Sequence, residues 1–181
     1  MRIRVWDALV RLLHWTLAGA VATAWVSGHW APADFDAVHH TAGYVALAAV
    51  VLRGGWGLIG PRHARFASFV RGPRDVLAYA RALRAGREAR YVGHNPLGGW
   101  IAVMLWSTAA AVAATGWLYT TEWLWGYAWL EALHLVLGWL IAALVAGHLA
   151  GVVTTSWRHR ENLIAAMFSG KKRAAEGSDI D

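Results

Sequence analysis

The sequence predicts an all-α fold, an integral membrane four-helix bundle with both termini in the cytoplasm, and three observations carry that reading. Of 181 residues, 57% are hydrophobic and only 15% charged, whereas a soluble domain carries about 25% charge. Four stretches, near 6–28, 39–60, 97–119 and 131–157, are predominantly apolar over the roughly 20 residues that a helix needs to cross a hydrocarbon core. All the Lys and Arg outside those spans lie on one side of them, and that side is cytoplasmic by the positive-inside rule. At this length one domain is expected over 1–181. The formal charge of +6 in so apolar a chain points to a lipid surface as partner and excludes nucleic acid.

Span one opens after the basic flank of Arg2 and Arg4, and it is interrupted by Arg11 and His14. That interruption, with no small-residue cleavage site, argues against a cleavable signal peptide. The loop that follows, 29–38, has no Lys or Arg but contains Asp34 and Asp36, which places it outside. Span two starts at His39 and carries Arg53 before Gly60 and Pro61 end it. The basic cytoplasmic loop 61–96 holds eight arginines, and within it Asp75–Ala85 has an apolar face of Val76, Leu77, Ala80 and Leu83. Either an amphipathic helix lying along the headgroups or a solvated basic loop is expected there.

Asn95 as N-cap and Pro96 at the first helical position start span three, which has no His, Lys, Arg, Asp or Glu. Outer loop 120–130 again lacks Lys and Arg and contains Glu122. Span four carries His134 and His148, and the basic tail 158–181 ends in AAEGSDID, a polar run expected to be disordered. Small residues in AGAVATA (18–24) and STAAAVAATG (107–116) permit close helix contact. Trp6, Trp30, Trp123, Trp125, Trp129 and Trp157 fall where an aromatic belt belongs.

The histidines hold the functional information, because an ionisable residue inside a span marks a cavity, a cofactor or an ion path. His134 and His148 are 14 residues apart, about 3.9 turns, so they share one face about 21 Å apart. His14 in span one lies level with His148, and His39 at the outer end of span two lies level with His134. Two pairs bridging different helices at common depths suit two flat cofactors stacked across the membrane. Iron porphyrin fits best, since two neutral imidazoles occupy both axial positions of haem, whereas small transition-metal sites need three or more ligands. With no cysteine in the chain, thiolate zinc, iron–sulfur and covalently attached haem are excluded.

Gly43 and Gly138 stand four residues after His39 and His134, on the same helix faces, where a missing side chain admits a broad ring. The same spacing selects His39 over His40, which points about 100° away. Arg53, 14 residues after His39, either pairs with a haem propionate or snorkels to the headgroups. Arg11 has the same two readings. His94 stands where a quinone headgroup would exchange protons with water, or is a surface residue beside a helix cap. His29, His40, His63 and His159 are assigned no ligand role, and Trp15 and Trp139 either flank porphyrin edges or pack between helices.

The strings VWDALVRLLHW, HHTAGY, HLVLGWLIAALVAGH and RHRENLIAAMFSGKK together resemble the bacterial di-haem cytochrome b561 family, related to the b-type subunits of membrane-bound hydrogenases, over nearly the whole chain. The resemblance implies two non-covalent haem b groups per chain, an inner one on the iron ligands His14 and His148 and an outer one on His39 and His134. It further implies electron transfer in the bacterial inner membrane between the quinone pool and a redox partner. A superoxide-oxidising quinone reductase is the family's alternative activity. A histidine-lined metal or proton transporter would need acidic partners near the midplane, and no Asp or Glu lies deep in any span. On the outer face Asp34, Asp36, Glu122 and Glu131 are interleaved with Trp30, Trp123, Trp125, Tyr127 and Trp129, a surface that either steers a positively charged protein such as a c-type cytochrome or merely obeys topology and anchors in the headgroups.

Overall fold

The structure, a computed structural model, describes residues 1–30 and 36–180; Asp34 of the outer acidic surface lies outside the described residues. In chain order come β1 (Arg2–Arg4), α1 (Ala8–Trp30), α2 (Asp36–Ile59), a 3-10 turn (Arg62–Ala64), α3 (Phe66–Phe69), α4 (Pro73–Arg84), α5 (Pro96–Tyr119), α6 (Ala128–Arg158), α7 (Leu163–Ser169) and β2 (Lys171–Arg173). Helices α1, α2, α5 and α6 are the four long and apolar enough to cross a membrane, and they form the expected bundle with ends shifted by a few residues.

The shifts have local causes. α1 begins at Ala8 because the Asp7 carboxylate accepts the backbone N–H groups of Leu9 and Val10, both at 3.0 Å, which makes it an N-cap. The indole of Trp56 donates to the same oxygen at 3.2 Å. α5 starts as the sequence predicts, with Asn95 Oδ1 accepting from Gly98 N at 2.7 Å and Pro96 as its first residue.

The chain forms two compact units. One comprises Leu12–Gly54 and Met104–Ala146. Its core is Val50, Ala109 and Ile141, packed by Leu17, Val21, Leu105, Val112 and Val145, so all four spanning helices contribute. Ala42, Ala46 and Ala49 of α2 and Ala113 of α5 are also buried. Small side chains let helix backbones approach closely, which is how helices associate where lipid removes the hydrophobic drive. The approach is close at Gly54, where an added Cβ would stand 2.9 Å from the Trp106 ring. That indole donates to Val50 O at 3.0 Å.

The other unit comprises Met1–Arg11, Gly55–Val103 and Gly147–Asp181, and here the structure corrects three expectations. First, the all-α chain carries a small antiparallel sheet, with Arg2 opposite Arg173, Ile3 opposite Lys172 and Arg4 opposite Lys171. Three-residue strands rich in Arg and Lys have no alternation to read. The sheet is anchored at Gly170, whose carbonyl accepts from Val5 N (2.9 Å) and Trp6 N (3.1 Å). Gly170 caps α7 at φ 75°, and a Cβ there would fall 2.5 Å from Trp6 O, so both backbone shape and space demand glycine.

Second, the tail through Ile180 is docked and not disordered. Ile180 N donates to Arg90 O (2.8 Å), Val92 N donates to Ile180 O (2.9 Å), and Asp179 takes a 2.5 Å ion pair from Arg90. Composition foretold disorder because it counts polar residues without knowing their partner. Third, α4 forms as predicted, but its buried member is Tyr79, while Leu77 is 56% exposed. The inward face thus runs through Val76, Tyr79, Ala80 and Leu83, the i, i+3, i+4, i+7 stripe. Burial pushes the Tyr79 hydroxyl up to about 12, with Glu88 adding to the shift.

Arg90 organises this unit. Its side chain is 4% exposed and donates to Glu161 (3.2 and 3.0 Å), to Asp179 and to the carbonyls of Arg173 (2.6 Å) and Ala174 (3.4 Å). Lys172, equally buried, lies 3.8 Å from Glu161 and donates to Tyr91 O at 3.2 Å. Burial pushes Lys172 down to about 8, although Glu161 opposes the shift. Burial would raise Glu161, but bonds from Arg90 and from the Arg173 backbone hold it below the usual carboxylate range.

Candidate functional site

Within the first unit α2 and α6 bring His39 and His134 together, their ring centroids 6.0 Å apart and their planes at 80°. Each ring is oriented by its Nδ1. That of His39 donates to Ala24 O at 2.8 Å, an acceptor that cannot donate. That of His134 lies 3.0 Å from Thr115 Oγ1, and the Thr115 hydroxyl proton is already directed to the carbonyls of Ala111 and Val112, both at 2.9 Å. With Nδ1 of each ring engaged in this way, Nε2 is the nitrogen that the neutral ring would offer to a metal. Among the described residues neither Nε2 has a hydrogen-bond partner.

Glycines crowd both rings. A Cβ at Gly28 would come 2.9 Å from His39, and one at Gly116 would come 3.0 Å from His134. Beside Gly43 a Cβ would meet nothing within 4 Å, so that helix face is open to a broad group. A centroid separation of 6.0 Å would leave room for one metal ion held by a nitrogen of each ring, with metal–nitrogen bonds of about 2 Å. The donor set and its spacing thus fit haem iron, and no cluster of three or more His, Cys, Asp or Glu among the described residues offers another metal site.

His40 points outward and lies 3.7 Å from Asp36 one turn earlier. His29, which the sequence reading set aside at an interface, is inside α1 because the helix runs on to Trp30. Its ring stacks on Trp25 (4.6 Å, 26°) and meets Trp139 edge-on (5.0 Å). Its Nδ1 donates to Trp25 O at 2.9 Å, and its Nε2 is buried without a hydrogen-bond partner among the described residues. The four-residue step from Trp25 to His29 was the available signal. Trp139 packs on Trp25 and His29, and Trp25 donates to Gly138 O at 3.0 Å.

His14, half-buried in α1, meets Trp15 edge-on at 4.9 Å. His148, half-buried in α6, falls in the other compact unit. Arg53 is half-buried in α2. Arg11 donates to Phe168 O at the end of α7. His94 is not a surface residue, since it lies between the rings of Trp6 (4.9 Å) and Phe69 (4.5 Å).

Four apolar spanning helices, two of which bring His39 and His134 together, in a chain with no thiol to tether a macrocycle, suit a membrane-embedded b-type cytochrome. The family model for prokaryotic cytochrome b561 matches residues 5–170, and the chain belongs to that family. It is a multi-pass protein of the bacterial inner membrane, binds b-type haem and takes part in electron transfer. No curated protein and no solved structure gives a match.

Proposed function

We propose that the chain holds two haem b groups, an outer one on His39 and His134 and an inner one on His14 and His148, and passes electrons between quinone and a redox protein on the outer face. The adjacent pair His39 and His134 supports this reading. Haem supplies reversible one-electron chemistry at iron. The chain supplies two Nε2 bases, Nδ1 hydrogen bonds that lock ring orientation, and glycines where the porphyrin must approach. The inner pair rests on matching depth in the sequence and on half-burial of both histidines. Arg53, one helical face along from His39, is the proposed propionate partner.

The outer partner is proposed to be a basic protein such as a c-type cytochrome. Asp36, Glu122 and Glu131 are exposed, and among them stand Trp123 at 86% and Trp125 at 73% exposure. A pyridine haemochrome assay on purified protein tests the cofactor content, with two extractable haems per chain expected. His134→Ala or His39→Ala should each remove the same haem, and His14→Ala or His148→Ala the other. One haem in the native protein, or loss of one and the same haem from the His14 and His39 variants, overturns the assignment. His40→Ala should retain both.

A further inference from the structure

At the basic end of α6 an open cavity of about 410 Å³ is lined by Gly86, Glu88, Trp157, Arg158, His159 and Arg160, all within one compact unit. Two of its cations are in different situations. Arg158 is engaged, pairing with Glu88 through Nε and, at 2.7 Å, through one terminal nitrogen. Arg160 is exposed and its side chain makes no hydrogen bond or ion pair among the described residues.

The backbone at Arg160 is unusual. Arg160 N reaches Trp157 O (3.4 Å) and Glu161 N reaches Ser156 O (3.0 Å), the paired bonds of a Schellman helix end. Arg160 thereby occupies the left-handed C′ position with φ 49°, the one non-glycine residue with positive φ among those described. Glycine is the usual occupant of that position, and a β-carbon there is strained. Helix capping alone would favour glycine, so a guanidinium at this position points to a ligand for it. Trp157, 79% exposed at the end of the spanning helix, stands where an indole meets the headgroup layer.

We propose that this cavity binds the phosphate of an anionic phospholipid headgroup, with Arg160 as the cation that meets it and Trp157 lying along the adjoining acyl–headgroup boundary. The chemistry, a phosphate oxyanion on a guanidinium, is shared with free inorganic phosphate. The place at the end of a membrane span, beside an exposed indole, favours lipid. Glu88 moderates the site by occupying Arg158, and its own side chain is only 4% exposed.

Native mass spectrometry of the detergent-purified, haem-loaded protein tests this with added dioleoyl phosphatidylglycerol, dioleoyl phosphatidylcholine or inorganic phosphate. The native protein should bind phosphatidylglycerol at least fivefold tighter than phosphatidylcholine, about the effect of one basic residue at a membrane surface. Arg160→Asn keeps a residue tolerant of the left-handed backbone and should erase that preference. Arg160→Gly should erase it while melting at or above the native temperature, a gain that a merely structural arginine would not allow. Glu88→Gln should tighten phosphatidylglycerol by freeing Arg158. Equal binding of the two lipids by the native protein, or an unchanged preference in Arg160→Asn, overturns the proposal. Displacement of phosphatidylglycerol by millimolar inorganic phosphate would mark a soluble-anion site and overturn the lipid assignment.

Discussion

The two compact units solve burial in opposite ways. In Leu12–Gly54 with Met104–Ala146 the core is aliphatic and small, and polar side chains lean on helix carbonyls, as His39 does on Ala24, Trp106 on Val50 and Trp25 on Gly138. Such bonds leave each helix intact and fix only the angle of one ring. In the basic unit, by contrast, charged groups are buried and answer one another across long sequence distances. Arg90 joins the long loop to the segment after α6 through Glu161 and to the tail through Asp179. A site that must accept a large rigid group is served by the first design, and irregular segments with no lipid-facing helix to stabilise them need the second.

That contrast is broken most directly at Arg90. Arg90→Met should destabilise the basic unit by about 3–5 kcal/mol, the usual cost of leaving buried partners uncompensated. The tail beyond Lys172 should become sensitive to protease, while the absorption assigned to the outer haem persists. A tail that stays protected would show that the charges add nothing to the hairpin. Loss of all haem would show that the two designs are not separable.

A smaller effect follows from Lys172, which burial moves from the 10.5 of a free lysine to about 8. Between those values the unfolded chain holds the proton and the folded one has released it, so stability rises with pH across that window and is lost as pH falls through 8. At most about 3 kcal/mol is involved. Tyr79, raised from 10 to about 12 by burial, has the opposite consequence. Its contribution is complete below pH 10 and is lost as pH climbs toward 12. Thermal melting of the native protein should therefore rise from pH 8 toward pH 10 and then turn down. Lys172→Met should flatten the rise, and an unchanged slope would remove Lys172 from the account.

The smallest effect sharpens the other side. Thr115→Val removes the acceptor of the His134 Nδ1 proton at nearly constant volume. Partners of this kind typically change metal affinity by 10–100-fold, and the lower end is expected here, about tenfold in the rate at which haem is lost to a competing apoprotein. The midpoint potential of one haem should shift with it, leaving the other untouched. No change in either would mean that the glycine-lined packing around His134 suffices to hold the ring.

The spans were legible because lipid imposes length and apolarity on them, and the caps at Asn95 and Pro96 because their chemistry is local. The meeting of His39 and His134 was legible for the same reason, each standing near the end of a regular helix. What escaped was everything decided by a distant partner. Arg2–Arg4 has no strand pattern until Lys171–Arg173 lies beside it. The tail is polar by composition yet ordered by Arg90. His29 escapes a span that ends at Gly28, two residues before the helix does, and the start near residue 6 passes over the Asp7 cap that begins α1 at Ala8.

The pairing of β1 with β2 has a mechanical side. Arg2 and Arg173 are opposed, and Ala174 N donates to Met1 O at 3.1 Å, so both strands lead out of the sheet at the same edge. Traction on the two chain ends would therefore load these hydrogen bonds one after another, as in a zipper, and not all together as in a sheared sheet. The Ile180 bridge to Val92 and the Asp179 contact would yield before the strands, and the strands before any spanning helix is drawn out of the lipid. The cap would open in steps at low force, leaving the apolar helices to bear the larger load.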